Sequence, residues 1–284
     1  MAARNAESFI GEALDSVAES LAGTGADFEV LLADGASGDR TVEAALAWPF
    51  VRLVSTSDTG IYDGMNRAIG AARGEFLLLL NSDDQLVAQG VRAALARLDA
   101  SRKLKIASGA ALAGGSIRDA KTLRHEGVLT LAGAAFGVPV INARVFRRSL
   151  FDEVGLFRTD IDLGADREFM IRLAARGLQG EAIEQPLYFY RRHTGSQTMA
   201  NDRAGQARVY RAEAAAAAYC CTSYDSLEVR KLCASARTVA NLKLRQIGEA
   251  PAGMKPQPLT PRFLVDCARG LWLWRRWRGR TSGA

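Results

Sequence analysis

Apolar and polar positions along the chain follow two periods. Phe9, Ile10, Ala13, Leu14, Val17 and Leu21 recur at helical spacing. They predict a helix over residues 6–21, with Asn5 as its N-cap. Mainly apolar segments at 28–33 and 51–55 and an unbroken apolar run at 76–80 predict short strands, the last buried on both faces. Helical stretches at 41–47, 61–73 and 89–100 separate them, and Gly74 fits a C′ stop to the second. Strand–helix alternation of this kind predicts an α/β fold around a mostly parallel sheet flanked by helices. Further strands are expected near 106–112, 128–131 and 184–190, with a helix over 165–175 that ends at Gly177. Residues 128–143 are apolar, but Gly133, Gly137 and Pro139 interrupt them, so they read as interior and not as a membrane span.

Past residue 200 the pattern changes. Residues 204–218 and 227–247 predict two long helices, the first rich in alanine, as a C-terminal helical extension. Four of the seven prolines fall within 248–261, which marks an extended linker. In the tail, Trp272, Trp274 and Trp277 stand among Arg269, Arg275, Arg276, Arg278 and Arg280. The expected organisation is 1–200 as a catalytic domain, 201–247 as the helical extension, 248–262 as the linker and 263–284 as a basic, Trp-rich tail.

The chemistry concentrates where strands end. The run 76–80 stops abruptly at Asn81-Ser82-Asp83-Asp84. In an α/β sheet, polar groups at the carboxyl ends of strands line the ligand crevice. Two adjacent carboxylates there repel each other unless a cation or a shared proton relieves them. A hard divalent metal holding phosphate oxygens is one solution; a plain polar turn is the other.

Two upstream blocks narrow the choice. One is Glu29-Val30-Leu31-Leu32-Ala33-Asp34-Gly35-Ala36-Ser37-Gly38-Asp39. The other is Ser57-Asp58-Thr59-Gly60-Ile61-Tyr62-Asp63-Gly64-Met65-Asn66, followed by Gly74-Glu75. In order and spacing, the three blocks resemble the inverting family 2 glycosyltransferases of GT-A fold. Within these they are most similar to the bacterial surface-polysaccharide branch with its GIYDAMN and LNSDD runs. The resemblance covers about residues 4–200.

That resemblance implies site residues. Asp84 would coordinate Mg²⁺ or Mn²⁺ directly, and Asp83 would bind ribose or support the metal. Asp34 would accept a hydrogen bond from the nucleotide base, the alternative being a turn or capping acid. Asp58, Gly60 and Asn66 fall in the next nucleotide-facing block, with local turn bonding as the alternative for Asp58 and Asn66. Asp166, in Leu163-Gly164-Ala165-Asp166-Arg167-Glu168, falls at the family's general base, with Glu168 as its local competitor. A first-turn helix acid is the structural alternative for Asp166. Arg172 lies six residues on, too far to assume a pair with Asp166. Arg191 and His193, in Tyr190-Arg191-Arg192-His193, would contact the diphosphate or play a structural part. His125 has no such context.

The implied partners are a nucleotide-sugar donor and a saccharide or lipid-linked acceptor. The implied reaction is metal-dependent inverting transfer in surface polysaccharide synthesis, at the cytoplasmic face. A nucleotidyltransferase with a related sheet, or a non-catalytic relative, are the alternatives. Members of the family have an apolar strand before the residues matching Arg4–Glu7, yet only Met1-Ala2-Ala3 stand there. The first strand is therefore expected to be truncated, with the reading frame opening upstream. On the acceptor side, Ile141-Asn142 replace the His-Gln pair common in relatives, so the acceptor is not legible.

Composition adds little more. Net charge of +6 favours anionic partners, whether nucleotide phosphates or an acidic membrane reached by the tail. Nucleic acid is not expected, since no recognition motif accompanies the charge. Cys220, Cys221, Cys233 and Cys267 match no zinc spacing and read as reduced thiols.

Overall fold

The computed structural model describes residues 1–123, 128–138, 140–161, 163–193, 195 and 203–250. In chain order the elements are β1 (Ala2–Ala3), α1 (Ile10–Leu21), β2 (Val30–Asp34), α2 (Thr41–Leu46), β3 (Val51–Ser55), α3 (Ile61–Ala71), β4 (Phe76–Leu78), β5 (Gln85–Leu86), α4 (Ala88–Asp99), β6 (Ile106–Gly114), β7 (Lys121–Leu123), α5 (Leu131–Phe136), β8 (Arg144–Arg147), α6 (Ser149–Val154), α7 (Ala165–Ala175), β9 (Glu181–Arg191), α8 (Arg203–Ser223) and α9 (Leu227–Gln246). They form two compact units. The first comprises residues 1–128, 140–159 and 178–192. The second comprises 129–139, 160–177 and the chain from 193 onward.

The first unit is an α/β body. Strands β1, β2 and β3 form a parallel sheet in the order β1-β2-β3. A second, mixed sheet runs β4-β8-β6-β9-β5, with β7 paired to β6. One parallel bridge, Ala2 to Asn81, joins them. The carboxyl ends of β2, β3 and the β4 segment therefore share one rim. Ile10, Leu14, Leu32, Val91, Leu98, Val145 and Leu187 form part of its core.

The position expected for a missing strand is partly filled by the first three residues. The Met1 amine donates to Leu31 O (2.8 Å), Ala33 N–H donates to Met1 O (2.9 Å) and Gly35 N–H donates to Ala3 O (2.8 Å). The pairing stops there. Apart from that Met1 bond to Leu31 O, the ladder partners of Val30–Leu32 all lie on β3 and those of β4 on β8. A cavity of about 310 Å³ beside Met1 is lined by Val30, Leu31, Phe76, Leu78 and Leu80 among others. This is why Phe76–Leu78 are half-exposed, and it corrects the expectation of a strand buried on both faces.

Other local departures have local causes. Helix α1 starts at Ile10, not near residue 6, because Asn5 adopts φ 50° and its side chain accepts from Gly38 N–H (2.8 Å) instead of capping the helix. Helix α3 ends at Ala71 with Ala72 extended, so Gly74 is not its stop. The strand expected at 128–131 is replaced by α5, capped where Thr130 Oγ1 accepts from Gly133 N–H (2.9 Å). Strand β8 escaped the sequence reading because its ends are arginines; both Arg144 and Arg147 are nevertheless buried.

The second unit is helical, with Ala135 and Phe136 of α5 packed on Ala217 of α8 and on Ala236 and Val239 of α9. Cys220, Cys221 and Cys233 are free thiols; Cys267, His125, most of the expected linker and the tail lie outside the described residues. No helix among the described residues is long and apolar enough to cross a membrane.

Candidate active site

The rim of the parallel sheet gathers the predicted acids of the first unit. Asp34 is the last residue of β2 and is buried. Its carboxylate accepts from Ser37 N–H (2.9 Å) and Ser37 Oγ–H (2.5 Å), so it shapes its own loop. Asp39 takes the capping part, accepting from Thr41 N–H (3.0 Å) ahead of α2. Asp58 lies beyond β3 and accepts from Gly60 N–H (3.1 Å).

Two glycines let these loops meet. A Cβ on Gly35 would lie 3.2 Å from both Asp58 carboxylate oxygens, and one on Gly64 would lie 2.8 Å from Asp58 Oδ2. The glycine at 64, where the resembling run has alanine, thus leaves room for the Asp58 carboxylate beside the Asp34 loop. Gly60 sits at φ 145°, open to side chains in space but not in backbone conformation.

Asn66, expected either to face the nucleotide or to bond within its own turn, has both ends of its amide engaged. Its Nδ2 donates to Phe157 O (2.8 Å) and its Oδ1 accepts from Phe157 N–H (3.0 Å). Both ends of the amide thus clasp the 155–159 loop. That differs from the local turn bonding weighed for it, since the partner lies 91 residues away in sequence.

The acidic pair divides its labour. Asp84 was expected at an exposed crevice, yet only 3% of it is exposed. Its carboxylate accepts from Arg191 N–H (2.8 Å), Tyr188 O–H (2.8 Å) and Asn81 Nδ2 (2.9 Å). Burial, and then the charge of Asp83, push its pKa up to about 7, against the lowering pull of those three donors. Asp83 remains on the half-exposed side of the loop. Arg191 also leans on this loop: its Nε donates to Asp83 O (3.0 Å), its Nη2 pairs with Glu12 (2.6 Å), and its guanidinium stacks on Phe9 at 5.4 Å.

Sequence reasoning missed the support behind the loop. Tyr190 O–H donates to Asn142 Oδ1 (2.9 Å), and Asn142 Nδ2 donates to Leu79 O (3.0 Å). Asn142 was visible only as a departure from the His-Gln pattern, Tyr188 only as a strand residue, and Tyr190 only as the first residue of the segment that carries Arg191 and His193.

In the second unit, Asp166 sits in the first turn of α7, half-exposed, and accepts from Arg167 N–H (2.6 Å). Its competitor Glu168 is buried at 2% exposure and ion-paired with Arg172 (2.6 Å). Arg167 is also buried, donating to Ala134 O, Ala135 O, Gly137 O and Glu213. His193 Nδ1 accepts from Gly195 N–H (3.2 Å).

The donor set fits a hard divalent cation only in part. Asp83 supplies carboxylate oxygens of the right kind. Asp84 already accepts three internal hydrogen bonds, out of the roughly four lone-pair sites a carboxylate offers. Among the described residues no group of three or more His, Cys, Asp or Glu side chains is arranged to hold a metal. Any ion there would need the ligand's own phosphate oxygens to complete its shell.

A parallel α/β sheet with acids along its carboxyl rim has the place where ligands bind in proteins of this class. Residues 1–155, more than half of the chain, match the model of Glycosyl transferase family 2, and the chain belongs to that family. A PGL/p-HBAD biosynthesis glycosyltransferase of Mycobacterium bovis (strain BCG / Pasteur 1173P2) is 31% identical over 174 residues, covering 59% of this chain. The match spans about 65% of that relative's length. Succinoglycan biosynthesis protein ExoO of Rhizobium meliloti is 36% identical over 104 residues, 36% of this chain and 29% of its own.

Two solved structures share the GT-A fold with this chain. S. aureus TarS 1-349 in complex with UDP-GlcNAc superposes with a TM-score of 0.62 at 16% identity, covering 95% of this chain and 78% of its own. Mannosyltransferase PcManGT from Pyrobaculum calidifontis, in complex with GDP-Man and Mn2+, gives 0.55 at 19% identity, covering 99% and 81%.

Proposed function

We propose that this protein transfers a sugar from a nucleoside diphosphate sugar to a saccharide or lipid-linked acceptor by a single inverting displacement. The family match over residues 1–155 carries the reading. The convergence of the Asp34, Asp58 and Asp83 loops on one rim supports it. So do the nucleotide sugars named in the TarS and PcManGT complexes. The names of the mycobacterial and rhizobial relatives, both biosynthetic, support a part in biosynthesis, here read as that of surface polysaccharide.

Each group then has a task. Asp34 and Asp58, with Gly60 allowing close backbone approach, hold the nucleoside. Asp83 would hold Mg²⁺ or Mn²⁺ together with the donor's diphosphate, while Asp84 anchors the loop from inside. When bound, the cation offsets the negative charge that develops on the departing diphosphate. Arg191 and His193 flank the diphosphate. Asp166 takes the proton from the acceptor hydroxyl, as a single displacement requires one base.

The test is a thermal-shift screen of UDP-, GDP- and dTDP-sugars with and without MnCl₂, since a ligand that binds the folded state raises its apparent stability. One donor should raise the melting temperature only with Mn²⁺, and Asp83→Asn should abolish that increment. Turnover should release a nucleoside diphosphate. Release of pyrophosphate would instead indicate nucleotidyl transfer, and no response to any donor would favour a non-catalytic relative.

The tail at 263–284 lies outside the described residues, and its membrane role is likewise part of the proposal. Trp favours the membrane interface, and each basic residue near an acidic leaflet contributes about 1 kcal/mol. Deleting 263–284 should reduce co-sedimentation with anionic liposomes by at least tenfold. Equal sedimentation of both forms would reject membrane attachment through this segment.

A further inference from the structure

We propose that Tyr188 is a positioning residue: its single hydroxyl sets the conformation of the Asn81–Asp84 loop and thereby the place of Asp83. The inference rests on the reading that Asp83 serves the metal–diphosphate end of the donor.

Tyr188 lies on β9, opposite Leu86 of β5 and Ala111 of β6, and is fully buried. Its oxygen accepts from Asn81 N–H (3.1 Å) and donates to Asp84 Oδ2 (2.8 Å). One atom therefore ties the first and last residues of the acidic loop. Asn81 Nδ2 closes the third side by donating to the same Asp84 oxygen (2.9 Å). Three residues further along β9, Arg191 holds the other Asp84 oxygen through its N–H and Asp83 O through its Nε. The loop is thus fastened to one strand at four points.

The consequence lies in the choice between two adjacent carboxylates. Like charges at neighbouring positions push apart, and either could turn inward. The Tyr188 hydroxyl gives an inward carboxylate a partner at position 84, which leaves Asp83 on the half-exposed side. Tyr190, the neighbouring aromatic on the same strand with its ring centroid 4.7 Å away, reaches the loop at one remove: it donates to Asn142, whose Nδ2 donates to Asn81 Oδ1 (3.4 Å). It supplies a graded comparison.

The experiment compares wild type, Tyr188→Phe, Tyr190→Phe and Asp83→Asn by calorimetric titration of MnCl₂ with UDP and with GDP, alongside thermal melts. Tyr188→Phe keeps the ring and loses only the hydroxyl. It should weaken Mn²⁺-dependent nucleotide binding about tenfold, the scale of one lost charge-assisted hydrogen bond. Tyr190→Phe, which touches the loop only through Asn142, should weaken that binding distinctly less than Tyr188→Phe, even if both Phe variants melt lower by similar amounts. In a transfer assay the Tyr188→Phe loss should fall on the donor KM more than on kcat.

Unchanged Mn²⁺-dependent binding in Tyr188→Phe, with binding lost in Asp83→Asn, overturns the positioning role alone. Equal weakening in both Phe variants also overturns it, since the effect would then be general loosening of the sheet. If Tyr188→Phe does not fold, Asn81→Ala, which removes the side-chain tie to Asp84, must reproduce the tenfold loss or the proposal fails. Binding unaffected by Asp83→Asn, or absent for both nucleotides in wild type, overturns the reading of the site itself.

Discussion

Replacing Asp166 by Asn is expected to lower turnover by about 10²-fold or more, the scale of a lost general base, while leaving donor affinity within a few-fold. The amide cannot accept the acceptor's proton, yet it fills the same space and still accepts from Arg167 N–H. The contrasting variant is Glu168→Gln. Glu168 is buried against Arg172, and removing one partner of a buried pair costs about 3 kcal/mol. That change should therefore lower the melting temperature and leave turnover of the folded fraction near wild type. Sugar-transfer kinetics and thermal melts on both variants check the assignment. Collapsed donor affinity with surviving turnover in Asp166→Asn would make it a binding residue, and a 10²-fold fall in Glu168→Gln at unchanged stability would move the base to Glu168.

The second large effect concerns stability. A variant carrying four apolar β-branched residues ahead of Met1 should be more stable than the chain with a free amine there, and its stability should respond less to pH. Two causes act together. Extending the register of β1 along β2 would place the added residues beside Val30 and Leu31, next to the 310 Å³ cavity. Each side chain fully buried contributes roughly 1.5–3 kcal/mol, against about 1–2 kcal/mol per residue of backbone ordering. The amine is the other cause. Burial lowers its pKa from 8.0 to about 5. Between those values the unfolded chain binds a proton that the folded chain does not. Stability is therefore undiminished above about pH 8 and falls as pH drops toward 5, by at most about 4 kcal/mol at about 1.4 kcal/mol per unit. A peptide bond at Met1 N removes that titration and keeps the donor to Leu31 O. Denaturant melts at pH 5.5 and 8 on both forms measure it. If the extended form has the same midpoints and the same pH response, the cavity does not accept a strand.

Some of this architecture is written locally. The strands at 30–34, 51–55 and 76–78 and the helices at 41–46, 165–175 and 227–246 follow from apolar runs and periodicity, because backbone pairing and one-sided burial impose those periods on any chain. The positions of Asp34, Asp58 and Asp83 on one rim follow too, since each stands at or beyond the carboxyl end of a strand, β2 and β3 running parallel and Asn81 after β4 bridging to β1 in the same sense. Family membership was equally legible, carried by three motif blocks in order.

What the tertiary structure alone decided is the use to which each polar group is put. Whether Asp83 or Asp84 turns inward depends on Tyr188 and Arg191, more than a hundred residues later, whose strand happens to run behind the loop. Asn66 clasps Phe157 for the same reason: its partners come from a distant loop brought close by packing. The Ala2–Ala3 strand is too short for any periodicity to reveal, and it exists because β2 offers it a paired edge. Local sequence carries preferences worth tenths of a kilocalorie per residue. Buried hydrogen bonds and charges are worth several times that, and their partners are chosen only when the chain is folded.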